Sequence, residues 1–533
     1  EVKMTLAKGT PTIIRGSDYM FSTIYEGNGR GQRVGNFIPF TDNGTIAKSC
    51  LFEKGDSPRL NRSASGSGTS RRKYTLSVWA KPTVSSSASD ERYVIAAGPY
   101  GNSDGLTFDD DRTLKYWMNG RIDGDFKTNR TFEDSSKFYH ILISVDTTQS
   151  TASDRVKIYV DGDQQTSFSL ETYPSQNYDG NWGTTASTNI GSSNSPNRYY
   201  NGYLAEVNYV DGTAYGPDTF GLTDTSTGRW IPKALSSITY GTNGFRLEFA
   251  NSAGQTIGDD TSGNGNDFTV TNLDANDIHL DTPTDLYPTL ADFQASYGGT
   301  YTQGNLKLDG TTNAHTSTGR STLSFDVEDS TGYYFEFRNM GTSSFGSNFN
   351  AYGIVGVNAD NITPSSGVLY PNGGHYVTLQ EDGNVRINTT GSLVSLGGST
   401  LPKTGNTSTR DTIGCAVKSG KVWFSKNGIW GNANQGNPNS DGTPIASGLT
   451  GRFRACAFCY DDSHSLQEVN FGQRLTLGGS ATSDYSANNG GYFLYPPPAG
   501  FQSLKQDNLP ETGKGIPDWV WIKNRDATDA HQI

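Results

Sequence analysis

Between residues 46 and 475 the chain is a succession of short runs of β-branched and aromatic residues, closed by glycine-, asparagine- or serine-rich turns. Two of these closures, Asp161-Gly162 and Asn427-Gly428, are dipeptides suited to two-residue hairpins, because both central positions need a positive φ. No window repeats apolar residues at three- and four-residue spacing for more than two helical turns. The pattern predicts an all-β chain. The 28 Tyr and 25 Phe suit a pleated surface, and the 64 Gly account for the many turns. A chain of 533 residues exceeds what one hydrophobic core serves, so two to four domains are expected.

Five segments follow from this spacing. Residues 1–45 read as an irregular leader that docks on a neighbouring domain or partner. Residues 46–222 form a first strand series, in which Tyr74–Ala80 alternates with Leu76 and Val78 on one face and Trp79 on the other. Phe138–Asp146 reads as a longer buried strand, and Tyr203–Val210 ends at Asp211-Gly212, expected as another hairpin turn. Residues 223–290 read as a connector, 291–475 as a second strand series, and 476–533 as a tail.

The ordered set Tyr74–Ala80, Phe138–Asp146, Val156–Gly162 and Gly202–Val207 resembles the laminin-G/concanavalin A-like family over about 175 residues. The resemblance implies two antiparallel sheets packed as a jelly-roll sandwich. In the second series, Tyr333–Phe337, Asp411–Cys415, Val422–Gly428 and Val469–Gln473 are similar to the SPRY family, implying a second β-sandwich in tandem whose loops bind protein partners. Gly228–Lys233, Asn243–Phe249 and Gly258–Phe268 resemble the connector between such modules in tailed-phage structural proteins, particularly those of marine phages.

A net charge of −12 argues against a nucleic-acid surface, which needs clustered Lys and Arg. The one basic cluster, Arg71-Arg72-Lys73, reads as a solvated loop entering a strand. Cys50, Cys415, Cys456 and Cys459 do not make a disulfide framework. Cys456 and Cys459 lie three apart on an expected strand, hence on opposite faces, a poor geometry for a shared metal. No apolar run approaches the roughly 20 residues that cross a bilayer, so no membrane insertion is expected. No secretory leader is visible at Glu1-Val2-Lys3-Met4, so either it has been removed or the protein leaves its cell by assembly and lysis. Pro517–Arg525 looks like the opening strand of a further module, which favours a fragment of a longer protein.

No catalytic residues stand out. Paired carboxylates alternating on one strand, the arrangement of retaining glycosidases, are missing, and Glu206 stands alone on its strand. Gly101–Gly105 spells a nucleophile elbow by letter, but no helix pattern follows it. A non-enzymatic protein is expected. Sugar sites place flat rings and amides or carboxylates around hydroxyls. Tyr116, Trp117, Asn119, Asp179, Trp182, Arg198, Tyr199 and Tyr200 have that composition and are the candidate glycan contacts, packing at the sandwich rim being the alternative. Tyr370, Asn372 and Trp430 are candidates for a protein-facing loop surface. Asp259, Asp260, Asn264 and Asp267 read either as tight turns or as a calcium site, so no cofactor is required and Ca2+ is the one candidate.

The resemblance implies a virion-surface protein, a tail fibre or capsid knob, that attaches to host-surface glycan or protein. Its expected partners are other virion proteins, a homo-oligomer, trimeric or otherwise, and no nucleic acid. A purely structural decoration or adaptor protein and a secreted bacterial adhesin are the alternatives.

Overall fold

A computed structural model describes residues 44–509 except 84–90, 100, 133, 195–197, 225–228, 251–253, 292–298, 311–316, 340–350, 357–374, 381–384, 389–392, 397–410, 431–435, 460–465, 475–484 and 487–489. The leader up to residue 43, Tyr370, Asn372 and the Pro517–Arg525 run therefore lie outside the described residues. Short 3-10 turns are the only helical elements among the described residues, and the chain is all-β as expected.

The first sandwich packs two eight-stranded sheets. The first sheet runs Asp163–Gln164, Val156–Val160, Tyr139–Asp146, Lys73–Pro82, Gly202–Asp211, Ser49–Phe52 and Ile278–His279, with Phe245–Leu247 also on Gly202–Asp211. The second runs Phe168–Thr172, Gly124–Thr131, Thr113–Met118, Asp104–Phe108, Arg92–Ala97, Ser187–Ile190, Arg59–Ser63 and Thr269–Thr271. Their facing side chains make one core, into which Leu76 and Val78 point, while Trp79 joins a separate cluster on the outer face. The Asp161-Gly162 hairpin has φ of 52° and 82°, and Asn427-Gly428 has 51° and 76°, so both turns have the left-handed geometry their residues favour.

Residues 223–290 are more than a connector. Phe245–Leu247, Thr269–Thr271 and Ile278–His279 pair with Gly202–Asp211, Arg59–Ser63 and Ser49–Phe52, completing both sheets of the first sandwich. Nor is Asp211-Gly212 a hairpin. The Asp211 carboxylate accepts hydrogen bonds from the backbone N–H groups of Thr69, Ser70 and Asn243, and the chain leaves the sheet. It then crosses the outer face of the first sheet. There Phe220 and Tyr240 pack on Leu142 and Val210, and Tyr240 Oη donates to Asn208 Oδ1 at 2.6 Å.

The second module is also a pair of packed sheets, of eight strands each. One is built on Arg452–Cys459, which pairs with Ser317–Ser321, Phe325–Asp326 and Ala351–Gly356. The other is built on Gly332–Asn339, between Thr412–Lys418 and Leu466–Asn470. Cys459 lies in the core between the sheets and Cys456 in a cluster on the outer face, the opposition their spacing predicts. The described tail belongs here as well. Phe501–Ser503 pairs in parallel with Gly332–Asn339, and Phe493 packs on Tyr334 at 4.8 Å between ring centroids. Glu336 fastens this strap, accepting from Leu494 N and Tyr495 N at 2.9 Å each, while burial pushes its carboxyl up to about 7.

The modules are joined by a buried polar seam. Lys81 Nζ donates to Asp281 Oδ2 at 2.6 Å with both side chains fully buried, and Asp281 Oδ1 accepts from Tyr287 N at 3.1 Å. Tyr203 Oη donates to Gly304 O at 3.0 Å, and Leu280 N donates to Gln473 O at 2.8 Å. Lys505 pairs with Asp285 at 2.5 Å. Removing one member of a buried pair strands the other charge, a loss of about 3–5 kcal/mol. We therefore expect Lys81→Met to lower stability by about that amount in urea unfolding, and Lys81→Met combined with Asp281→Asn to recover most of it. Equal losses in the single and double variants would show that the pair does not act as a unit.

Candidate functional site

The sequence candidates divide between the core and two surfaces. Tyr116, Trp182 and Tyr200 are buried between the sheets of the first sandwich. Tyr116 shares a 2.6 Å hydrogen bond with Tyr74, Trp182 packs on Tyr74 and Tyr209, and Tyr200 packs on Phe52 and Phe108. None presents a ring to a sugar. Tyr116 points inward by the alternation of its strand, and Trp182 and Tyr200 enter the core from the segments outside the strands.

Asn119 and Asp179 lie at one end of the sandwich, around a residue that sequence reasoning passed over. Asp104 is fully buried. Its Oδ1 accepts from Asn119 N at 2.8 Å and Asn181 Nδ2 at 2.9 Å, and its Oδ2 accepts from Asn181 N at 2.8 Å. Burial nevertheless pushes its carboxyl up to about 6, the hydrogen bonds offsetting only part of the desolvation. The Gly101–Gly105 stretch is thus a structural knot: Asp104 ties two loops, and a Cβ on Gly105 would run into the Trp117 ring. Beside it, Arg72 holds Asp179 in a two-pronged pair at 2.9 and 3.2 Å, and Arg71 Nε donates to Gly180 O at 2.8 Å. Arg71 and Arg72 are occupied in fastening this loop, and Lys73 pairs with Asp146.

Trp117 and Arg198 meet on the outer face of the second sheet. Trp117 makes an edge contact with Tyr93 at 5.3 Å, and the Arg121 and Arg198 guanidiniums lie 5.8 and 5.9 Å from the Trp117 and Tyr93 ring centroids. Glu91 pairs with both arginines. Half-buried Tyr199 adjoins Arg198 and bridges to Ser192. The alternation of Thr113–Met118 already puts Lys115 beside Trp117. The contributions of Tyr93 and Glu91 come from a distant strand and its approach, which no local pattern announces. In the second module, Trp430 is half-buried against Tyr334 rather than projecting as a loop platform.

The 259–267 cluster forms turns. Asp260 accepts from Arg246 N, Ser262 N and Oγ, and Asn266 N, all at 2.8–2.9 Å, and Asp259 accepts from Thr256. Asp267 accepts from Asp260 N, and Asn264 donates to Gly241 O and Gly244 O. These carboxylates are spent on chain atoms, which disfavours the calcium reading. Asp109, Asp110 and Asp111 form the one acidic group close enough to share an ion among the described residues. Lys127 Nζ already stands there, 2.7 Å from Asp109 and 2.8 Å from Asp111.

Among the described residues, Ser77 Oγ and His140 Nε2 form a serine–histidine pair at 2.9 Å. Trp230 Nε1 donates to His140 Nδ1 at 3.0 Å, so the ring's own proton sits on Nε2 and donates to Ser77. A general base needs the reverse. Burial between Trp79 and Trp230 also pulls His140 down to about 4.

These two buried groups give opposite pH dependences. Asp104 is raised in the folded state, so its contribution is complete below the unfolded value and is lost as pH rises through about 6. His140 is depressed, so its contribution is complete above its unfolded value and is lost as pH falls towards about 4. Relative to Asp104→Asn, the parent chain should be more stable at pH 4 than at pH 7 by about 2 kcal/mol; relative to His140→Gln, less stable by about 3 kcal/mol. Urea unfolding at both pH values measures the two differences, and slopes of the same sign would contradict the assignment.

No curated protein sequence matches the chain. Among solved structures it is similar to the heptameric SAP-like pentraxin of Limulus polyphemus, at 14% identity and a TM-score of 0.25, covering 32% of this chain and 79% of that one. It is also similar to domain 4 of the extracellular GH43 arabinanase AbnA of Geobacillus stearothermophilus, solved with arabinotriose, at 16% identity and a TM-score of 0.24, covering 33% and 76%. Domains LG4-5 of the mouse laminin alpha1 chain share 9% identity at a TM-score of 0.25, covering 78% and 84%. Residues 57–215, the greater part of the first sandwich, match the laminin-G-like family of the concanavalin A-like lectin/glucanases superfamily.

Proposed function

We propose that the protein is a non-catalytic structural component of a virion surface, a tail fibre or capsid knob, which contributes to host attachment through weak glycan or protein contacts. The observation that carries this reading is the junction. Two sandwiches joined by buried, hydrogen-bonded charges make a stiff spacer, which suits an appendage that presents a binding face at a fixed distance. The lectin-type family match supports binding as the role of the first sandwich. Weak sites gain avidity when repeated, so assembly into an oligomer with other virion proteins fits the same reading. The protonation of the Ser77–His140 pair supports a non-enzymatic role.

A purely structural decoration role is the second reading. It is favoured by the straps, which cover the outer face of one sheet in each module with the chain's own residues.

Immunogold electron microscopy of purified virions, with antibody against residues 46–475, separates these readings. We expect label on fibres or knobs. Label spread evenly over the capsid would favour decoration, and unlabelled particles would overturn the virion assignment.

A further inference from the structure

We infer that the outer face of the second sheet of the first sandwich binds a neutral hexose unit of a glycan, held between Lys115 and Asp125. The inference rests on the attachment reading above and gives it a place and a ligand class.

In strand Thr113–Met118, Leu114, Tyr116 and Met118 point into the core, so Lys115 and Trp117 stand on the outer face. Lys115 is only 5% exposed, yet among the described residues its ammonium has no hydrogen-bond or ion-pair partner. Asp125, directly opposite Trp117 on the next strand, has a buried Oδ1 that likewise accepts nothing. Lys115 and Asp125 are thus diagonal neighbours across adjacent strands, within reach of long side chains, and they still form no ion pair. An unused donor and an unused acceptor thus stand on one face, on adjacent strands. Adjacent hydroxyls of a sugar ring match such a pair, one donating to Asp125 while the other accepts from Lys115.

The surrounding charge favours a neutral ligand over an anion. Lys127 is held by Asp109 and Asp111, and Arg121 and Arg198 are held by Glu91. The apolar wall is Trp117, lying over Gly105 with its edge contact to Tyr93. Arg121 covers this wall from a side chain that is 40% exposed, on a turn where Asn119 and Arg121 hold left-handed φ of 49° and 80°. Non-glycine residues in that region are strained, and such strain gathers at ligand clamps. In this arrangement Arg121 is a movable cover, and the C–H face of the sugar takes its place on the indole.

The test is a glycan array carrying neutral hexose oligosaccharides beside uronate-containing and sulfated ones, probed with the full chain and its variants. Melting by circular dichroism checks that each variant folds. The parent chain should bind neutral spots, Lys115→Met and Asp125→Asn should each weaken that binding about tenfold or more, and Arg121→Ala should leave it at least as strong. Two variants on adjacent strands keep the test valid if one of them misfolds. Neutral binding untouched by either variant would overturn the site while leaving glycan attachment standing. Binding confined to acidic glycans would overturn the ligand class. Absence of all glycan binding would overturn the inference and leave only the protein-contact form of the attachment reading.

Discussion

The junction of the two sandwiches is centred on a buried ion pair. Lys81 belongs to strand Lys73–Pro82 of the first sheet, and Asp281 lies in the segment that leaves this sheet for the second module. Two charges removed from water are costly unless they meet in good geometry with their remaining hydrogen-bonding capacity used. Here Asp281 also accepts from Tyr287 N, its carbonyl accepts from Ser49 Oγ at 2.6 Å, and Lys81 lies over the rings of Phe138 and Tyr203. The pair therefore specifies where the chain crosses between modules. Apolar residues could fill the same space, but they would not select one crossing point.

A shared device shapes both modules. Each sandwich has a sheet whose outer face carries large aromatic or apolar residues, and each is covered by a strap from later in the chain. In the first module Trp230 stacks on His140 and Phe220 packs on Leu142; in the second, Phe493 and Phe501 cover Tyr334 and Trp423. The straps are fastened by polar groups whose burial is compensated, Asn208 with Tyr240 in one and Glu336 with two backbone N–H groups in the other. A covered face is closed to ligands. In the first sandwich this leaves the second sheet and the loop ends to make contacts, and the unused hydrogen-bonding capacity of Lys115 and Asp125 lies on that second sheet.

Several features of the chain were legible because they are local. The absence of helical periodicity determined the all-β class, since side-chain direction follows the two-residue repeat of a strand. Asp161-Gly162 and Asn427-Gly428 form the expected hairpins because their backbone preference does not depend on distant contacts. Leu76 and Val78 face the core with Trp79 opposite, and Cys456 and Cys459 oppose one another, for the same reason of alternation.

What only the tertiary structure decided is which polar and aromatic residues remain available. Aromatic and amide composition alone could not tell Tyr116, Trp182 and Tyr200, which fill the core, from Trp117, which lies on the outer face under Arg121. The Asp-rich turn at 259–267 has the composition of a cation site, but its oxygens are used by backbone groups brought close by folding. The segment from 223 to 290 reads as a linker because its strands are too short to show a period, and they become strands only when long-range partners supply the hydrogen bonds. Sequence determines local direction and turn geometry; burial and pairing between residues far apart in the chain determine which side chains are left free to bind.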